Sequence, residues 1–129
     1  MQSECKLSVI TINYNGFKDT CALLDSISPA PDDVEIIVVD NASREDEATW
    51  LQTRYPHVTV VRSRENLGFA GGNNLGIKAA HGRYLFFVNN DTEFPEQWNI
   101  DKLIERFSAS DKIGVVCPKI RFFWHHRTI

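Results

Sequence analysis

The sequence predicts a three-layer α/β/α domain built on a mainly parallel sheet, and three observations carry that reading. Short apolar runs of strand type alternate with helical patterns from Leu7 onward. Those runs are rich in β-branched residues and almost unbroken by polar ones, as strands covered on both faces should be. Polar residues then collect at the carboxyl ends of the runs, the edge where open parallel sheets bind ligands. Alternation of this kind implies right-handed crossovers with helices on both faces.

Leu7–Ile12 (LSVITI) reads as the first strand. Phe17, Cys21, Leu24 and Ile27 recur at helical spacing, and Pro29 and Pro31 close that helix. Val34–Val39 (VEIIVV) is the second strand. Ser43 and Asp46 have the spacing of an N-cap and capping-box pair for a helix through Trp50 and Leu51. Val58–Val61 is a third, shorter strand. The glycine- and asparagine-rich stretch Asn66–Gly76 leads into a short helix ending near Ala80, with Gly82 as its terminator. Tyr84–Val88 (YLFFV) is the fourth strand. Pro95 opens a helix whose Ile100, Leu103, Ile104 and Phe107 form one apolar stripe, and Ile113–Cys117 begins a fifth strand.

A chain of 129 residues suits one domain with a single core, here taken as residues 1–129 without repeat or linker. A formal net charge of −3 offers no bulk attraction to nucleic acid or anionic lipid, so no nucleic-acid partner is expected. No apolar run is long enough to span a bilayer as a helix, and Glu4 and Lys6 interrupt any signal-peptide pattern. A cytoplasmic protein is expected, with peripheral attachment at the inner face of the membrane as a variant of that placement. Cys5, Cys21 and Cys117 match neither a disulfide framework nor a zinc pattern, and packing accounts for Cys21 and Cys117.

Three polar strand ends define the candidate cleft: Asn13-Tyr14-Asn15-Gly16, Asp40-Asn41 and Asn89-Asn90-Asp91. The first loop lacks the G-x-G-x-x-G that brings backbone to a pyrophosphate, and the chain has no G-x-x-x-x-G-K-[ST] loop. Amides and a tyrosine ring there suit a base and its ribose, although an ordinary turn uses the same residues. Asp40, an acceptor-only carboxylate, could receive the imide N–H of uracil or thymine, or a ribose hydroxyl. It could equally begin a turn. Asp91 is an oxygen ligand for a hard divalent cation completed by waters and substrate phosphates, though Asn-Asp-Thr is also good turn chemistry. In Arg64–Gly76, four glycines surround the start of a helix, where glycine costs stability, so backbone there must approach a ligand or another element closely.

The succession Ile10–Gly16, Val38–Ser43, Glu65–Asn73 and Val88–Thr92 resembles family 2 glycosyltransferases, especially their rhamnosyltransferase-like branch. The four motifs occur in the family's order. The resemblance implies a GT-A-type fold and inverting transfer from a UDP- or dTDP-sugar, assisted by Mg²⁺ or Mn²⁺, to a saccharide or lipid-linked acceptor. It places Thr11, Asn13 and Tyr14 in the nucleoside pocket and Asp40 on the base. Asn66, Gly68, Asn73 and Asn90 would lie along the nucleotide and donor sugar, and Asp91 would bind the metal. Asn89 stands where the family's D-x-D element has its first aspartate. The family's acceptor-binding part and catalytic carboxylate would lie beyond this chain, leaving no catalytic base assigned. Phe122, Phe123 and Trp124 are then expected to mediate self-association, and His125 and His126 to form an exposed terminus. A nucleotide-sugar-binding domain without transfer activity is the alternative.

Overall fold

The computed structural model describes residues 4–121, and Phe122, Phe123, Trp124, His125 and His126 lie outside them. The chain divides into two compact units between Phe94 and Pro95. The first contains a sheet of four parallel strands in the order β3-β2-β1-β4. They are β1 (Leu7–Asn13), β2 (Val34–Asp40), β3 (Thr59–Arg62) and β4 (Tyr84–Phe87). Three helices supply the crossovers: α1 (Phe17–Ile27), α2 (Glu47–Arg54) and α3 (Gly68–Ala79). The second unit carries α4 (Asp101–Ile104), continued by a 3₁₀ turn over Glu105–Ala109.

Alternation along the central strands divides the core in two. Ile10, Ile37 and Val39 face α3, with Ile12, Val61, Leu75 and Ala79 packed around them. The opposite face belongs to α1 and α2, where Thr20 and Glu47 reach Asn13. Tyr55 ties those two helices together: its hydroxyl hydrogen-bonds to the Cys21 carbonyl and to Asp25 Oδ1. Central β1 and β2 are buried on both faces, as their nearly unbroken apolar runs require.

At the amino-terminal edge, Glu35 joins β1, β2 and the α3–β4 connection. Ser8 Oγ and the His81 backbone N–H both donate to its Oε1, and the His81 ring lies 3.1 Å from Oε2. Burial is the largest single influence and pushes the carboxyl up. The hydrogen bonds from Ser8 and His81 together outweigh it and hold the group below its ordinary 4.5. A carboxyl depressed on folding contributes stability that is full above its unfolded pKa and disappears as pH falls through the folded value. The stability advantage of the native chain over Glu35→Gln should therefore be constant well above pH 4.5 and shrink below it. Thermal unfolding of both proteins between acid and neutral pH checks this; an advantage that grows on acidification contradicts it.

The structure corrects five local expectations. The glycine-rich stretch is not a lead-in but α3 itself, from Gly68 onward. Gly82 does not terminate that helix, which ends at Ala79; a Cβ on Gly82 would run into the Ser8 backbone. Ser43 does not cap α2, because its hydroxyl is taken by Asp40; Asp46 is the N-cap and accepts from the Thr49 N–H at 3.3 Å. Pro95 starts a turn closed by Trp98, and α4 begins at Asp101, where the Asn99 side chain accepts the first helical N–H. Residues 113–117 form no strand. Val115 is 86% exposed and Cys117 is exposed, so neither packs as expected. β-Branched residues extend the backbone, but a strand needs a partner for its N–H and C=O groups.

Candidate functional site

Strand order reverses between β1 and β4: the chain steps outward from β1 to β2 and β3, then returns to the other side as β4. Crossovers leaving in opposite directions open a crevice at the carboxyl ends of the two strands. A cleft of about 440 Å³ lies there. Ile12 and Tyr14 line it from β1 and its loop, and Val88, Asn89, Asn90 and Asp91 from the segment after β4. Asn66, Gly68, Phe69 and Asn73 form the α3 wall, with Asn41 between. Two aromatic rings are presented, Tyr14 at 47% exposure and Phe69 at 67%. Among the described residues, Asp91 is the only charged side chain on these walls.

The α3 wall is set by close packing and by one amide. A Cβ on Gly72 would lie 2.8 Å from Ile12 Cδ1, and one on Gly76 2.6 Å from Ile10 Cγ2. Glycine at both positions lets the helix backbone press against β1. Asn41, 3% exposed, holds the turn before the helix. Its Oδ1 accepts from the Leu67 N–H at 2.8 Å, and its Nδ2 donates to Asn66 Oδ1 and to the Gly68 carbonyl. Gly68 has φ +73°, a left-handed conformation open to glycine, and its N–H donates to Asn66 Oδ1. Asn66 and Gly68 are thus fixed rather than loose.

The loops after β1 and β2 are also joined. Asn15 and Ala42 both have positive φ, 49° and 66°, which is costly for residues with a Cβ. The Asn15 N–H donates to Ser43 Oγ, and Asn15 Oδ1 accepts from the Arg44 N–H. The turn at Ala42 lets Asn41 serve α3 while Ser43 returns to Asp40.

Of the residues proposed from sequence, the structure brings Tyr14, Asn66, Gly68, Asn73, Asn90 and Asp91 together on the cleft. Thr11, Asn13 and Asp40 are not on its walls. Thr11 and Asn13, expected from sequence to line a nucleoside pocket, are fully buried on the α1–α2 side of β1, beneath the cleft. Thr11 Oγ1 has no hydrogen-bond partner among the described residues. Asp40 is 4% exposed. Its Oδ1 accepts from Asn13 Nδ2 at 2.9 Å and Ser43 Oγ at 2.6 Å, whereas among the described residues its Oδ2 accepts only the 3.3 Å contact from the Ser43 N–H. Oδ2 retains acceptor capacity.

Sequence reasoning assigned no role to Phe69 or Glu47 and named Asn41 only among the polar strand ends. Asn41 was signalled only by its place after Asp40. Phe69 carries no polar group to mark it as a site residue. Glu47 falls where helices commonly carry a first-turn acid.

A divalent cation of the kind that keeps several waters needs only one or two protein carboxylates, the rest coming from substrate phosphates. Asp91, exposed and lining the cleft together with Asn89, fits such a partial site. Among the described residues, no group of three or more His, Cys, Asp or Glu could form a closed cage.

The family model described as glycosyl transferase family 2 matches residues 8–129. An uncharacterized glycosyltransferase of Haemophilus influenzae is 31% identical over 121 residues, 92% of this chain and 38% of the relative. The low-salt glycan biosynthesis hexosyltransferase Agl10 of Haloferax volcanii is 35% identical, covering 88% of this chain and 36% of its own. Among solved structures, S. aureus TarS residues 1–349 superposes with a TM-score of 0.67 at 25% identity, covering 81% of this chain and 32% of that one. The Pyrobaculum calidifontis mannosyltransferase PcManGT, in complex with GDP-Man and Mn²⁺, gives 0.62 at 26% identity over 70% of this chain and 28% of its own. The chain thus spans between about a quarter and two fifths of the length of these relatives. They establish a GT-A glycosyltransferase fold and a transferase family.

Proposed function

This chain belongs to glycosyl transferase family 2, and from that premise we propose that its cleft binds the nucleoside diphosphate of a UDP- or dTDP-sugar for inverting transfer to a saccharide or lipid-linked acceptor. One observation carries the reading: a crevice at the sheet's switch point, lined by amides and two aromatic rings, with Asp91 as its one charged side chain among the described residues.

Tyr14 and Phe69 offer faces for a planar base, and Asp40 Oδ2 offers an acceptor for its imide N–H. Asn66, Asn73 and Asn90 supply hydrogen-bonding amides along the ribose and donor sugar. A diphosphate cannot sit beside an uncompensated carboxylate. Asp91, with the Asn89 amide, would hold Mg²⁺ or Mn²⁺, which would neutralise charge on the departing diphosphate. Asn89 in place of a second carboxylate leaves Asp91 carrying that ligation nearly alone. The general base that deprotonates the acceptor stays unassigned, since the one carboxylate on the described walls is spoken for. Residues 1–129 alone are expected to bind donor without transferring it.

The rhamnosyltransferase-like branch and a cytoplasmic location, peripheral to the membrane, remain part of this proposal. Among the described residues no helix is long and apolar enough to cross a membrane. Self-association is also proposed, because among the described residues β4 ends the sheet, with Leu85 and Phe87 40% and 44% exposed. Sedimentation showing a concentration-independent monomer would remove that part.

A thermal-shift screen of UDP-, dTDP- and GDP-sugars with and without Mn²⁺ tests the main reading. Ligand at about a hundred times its Kd should stabilise the chain by about 2.7 kcal/mol. UDP- or dTDP-sugars are expected to do so, most strongly with metal. Stabilisation by GDP-sugars alone would overturn the pyrimidine assignment, and none at all would overturn donor binding. A parallel product assay with sugar acceptors should stay blank; efficient transfer would mean that a catalytic base lies within the chain.

A further inference from the structure

Beneath the cleft runs a chain of side-chain hydrogen bonds that no part of the nucleotide reading requires. Asn90 Nδ2 donates to Thr20 Oγ1 at 3.1 Å, and Thr20 Oγ1 donates to Asn13 Oδ1 at 2.6 Å. Asn13 Nδ2 then divides its two hydrogens between Asp40 Oδ1 at 2.9 Å and Glu47 Oε2 at 2.6 Å. Asn13 and Thr20 are fully buried, and Glu47 is 8% exposed.

The direction of every donor in this chain is determined. Reversing the Asn13 amide would set its oxygen against two carboxylates, so the amide has one orientation. That orientation makes Asn13 Oδ1 an acceptor, which forces Thr20 to donate to it and leaves the Thr20 oxygen free to receive Asn90. Gly16 points the same way independently: a Cβ there would lie 2.7 Å from Asn90 Nδ2, so the first loop is cut back where Asn90 passes to reach Thr20. Buried, fully satisfied networks rigidify what they connect. This one connects Asp40, at the end of β2, to Asn90, beside Asp91 on the far wall of the cleft.

We propose that Asn13 is a buried hub fixing Asp40 and Asn90 relative to one another, and that Thr20 and Glu47 are positioning residues for the nucleotide site without lining the cleft. Glu47 holds one Asn13 hydrogen so that the other meets Asp40 Oδ1, which turns Asp40 Oδ2 toward a ligand. Thr20 transmits the same constraint to Asn90. The proposal rests on the nucleotide-binding reading, and its test separates the two.

UDP affinity with Mn²⁺ is measured by calorimetry for the wild-type chain, Thr20→Val, Thr20→Ser, Glu47→Ala and Glu47→Gln. Val keeps the shape of Thr without a hydroxyl, whereas Ser keeps the hydroxyl; Gln keeps an acceptor oxygen for Asn13, whereas Ala has none. Thr20→Val and Glu47→Ala should each weaken UDP roughly tenfold, with Ser and Gln restoring affinity to within about threefold. Val equal to Ser, and Ala equal to Gln, in otherwise folded proteins would overturn the proposal and leave the nucleotide reading intact. A wild-type chain that binds no UDP removes both. Where a variant fails to fold, the wild-type Asn13 side-chain amide resonances decide. They should shift on adding UDP although the side chain is fully buried, and unchanged resonances would count against the hub.

Discussion

Gly76→Val is expected to be among the most destabilising single changes in the chain, at about 3 kcal/mol, the upper part of the range for overpacked cores. A first added carbon would already lie 2.6 Å from Ile10 Cγ2 and 3.2 Å from Val39 Cγ2, at the centre of the core beneath α3. Neither neighbour is the free end of a flexible side chain; both are β-branched, on the paired central strands. Gly76→Ala is a milder form of the same insult. Its packing cost is offset in part by the ~1 kcal/mol that alanine gains over glycine inside a helix. Gly114→Ala is the control, because nothing lies within 4 Å of a Cβ there. Urea denaturation should rank the proteins Gly114→Ala, then Gly76→Ala, then Gly76→Val in falling midpoint. Equal midpoints would mean that α3 does not press on β1 as described. The consequence reaches function, since α3 carries Gly68, Phe69 and Asn73 to the cleft. Displacing it should weaken nucleotide binding even where the fold survives.

The second large effect is a contrast between two carboxylates. Asp91→Asn should reduce UDP affinity strongly when Mn²⁺ is present and little when it is absent, because in the proposed site the lost charge would face the metal and phosphates. Asp40→Asn should reduce UDP affinity with or without metal. Asparagine can still turn its oxygen to Asn13 and Ser43, but it then presents an NH₂ group where the base needs an acceptor. Loss of a hydrogen bond to a charged group corresponds to about 1.5–3 kcal/mol, or roughly ten- to a hundredfold. Calorimetry of both variants in the two conditions gives four affinities. A metal-dependent effect at Asp40, or a metal-independent one at Asp91, would reverse the assignments.

Much of this architecture is legible in the sequence, for identifiable reasons. β1 and β2 are read to within one residue because they lie at the centre of the sheet, where burial on both faces favours nearly continuous apolar runs. Tyr14, Asn90 and Asp91 follow from order, since polar residues just past parallel strands emerge on one edge, whereas Asn66, Gly68 and Asn73 come from the resemblance to the family's motifs. What stays hidden depends on partners that are remote in sequence. Glycine propensity hides α3, because tertiary packing against Ile10 and Ile12 outweighs it. The burial of Asn13 is invisible without knowing that Thr20 and Glu47 close over it from two helices. The apolar run at 113–117 misleads because strand composition does not supply a neighbouring strand.

The most direct measurement is a crystal structure of the chain with UDP and Mn²⁺, the metal located by its anomalous signal. The expected result is Mn²⁺ bound to the Asp91 carboxylate and to the diphosphate, with the uracil between Tyr14 and Asp40 and its imide N–H on Asp40 Oδ2. A nucleotide seated elsewhere, or Mn²⁺ and diphosphate bound together without Asp91, would contradict the assignment of this cleft as the donor site.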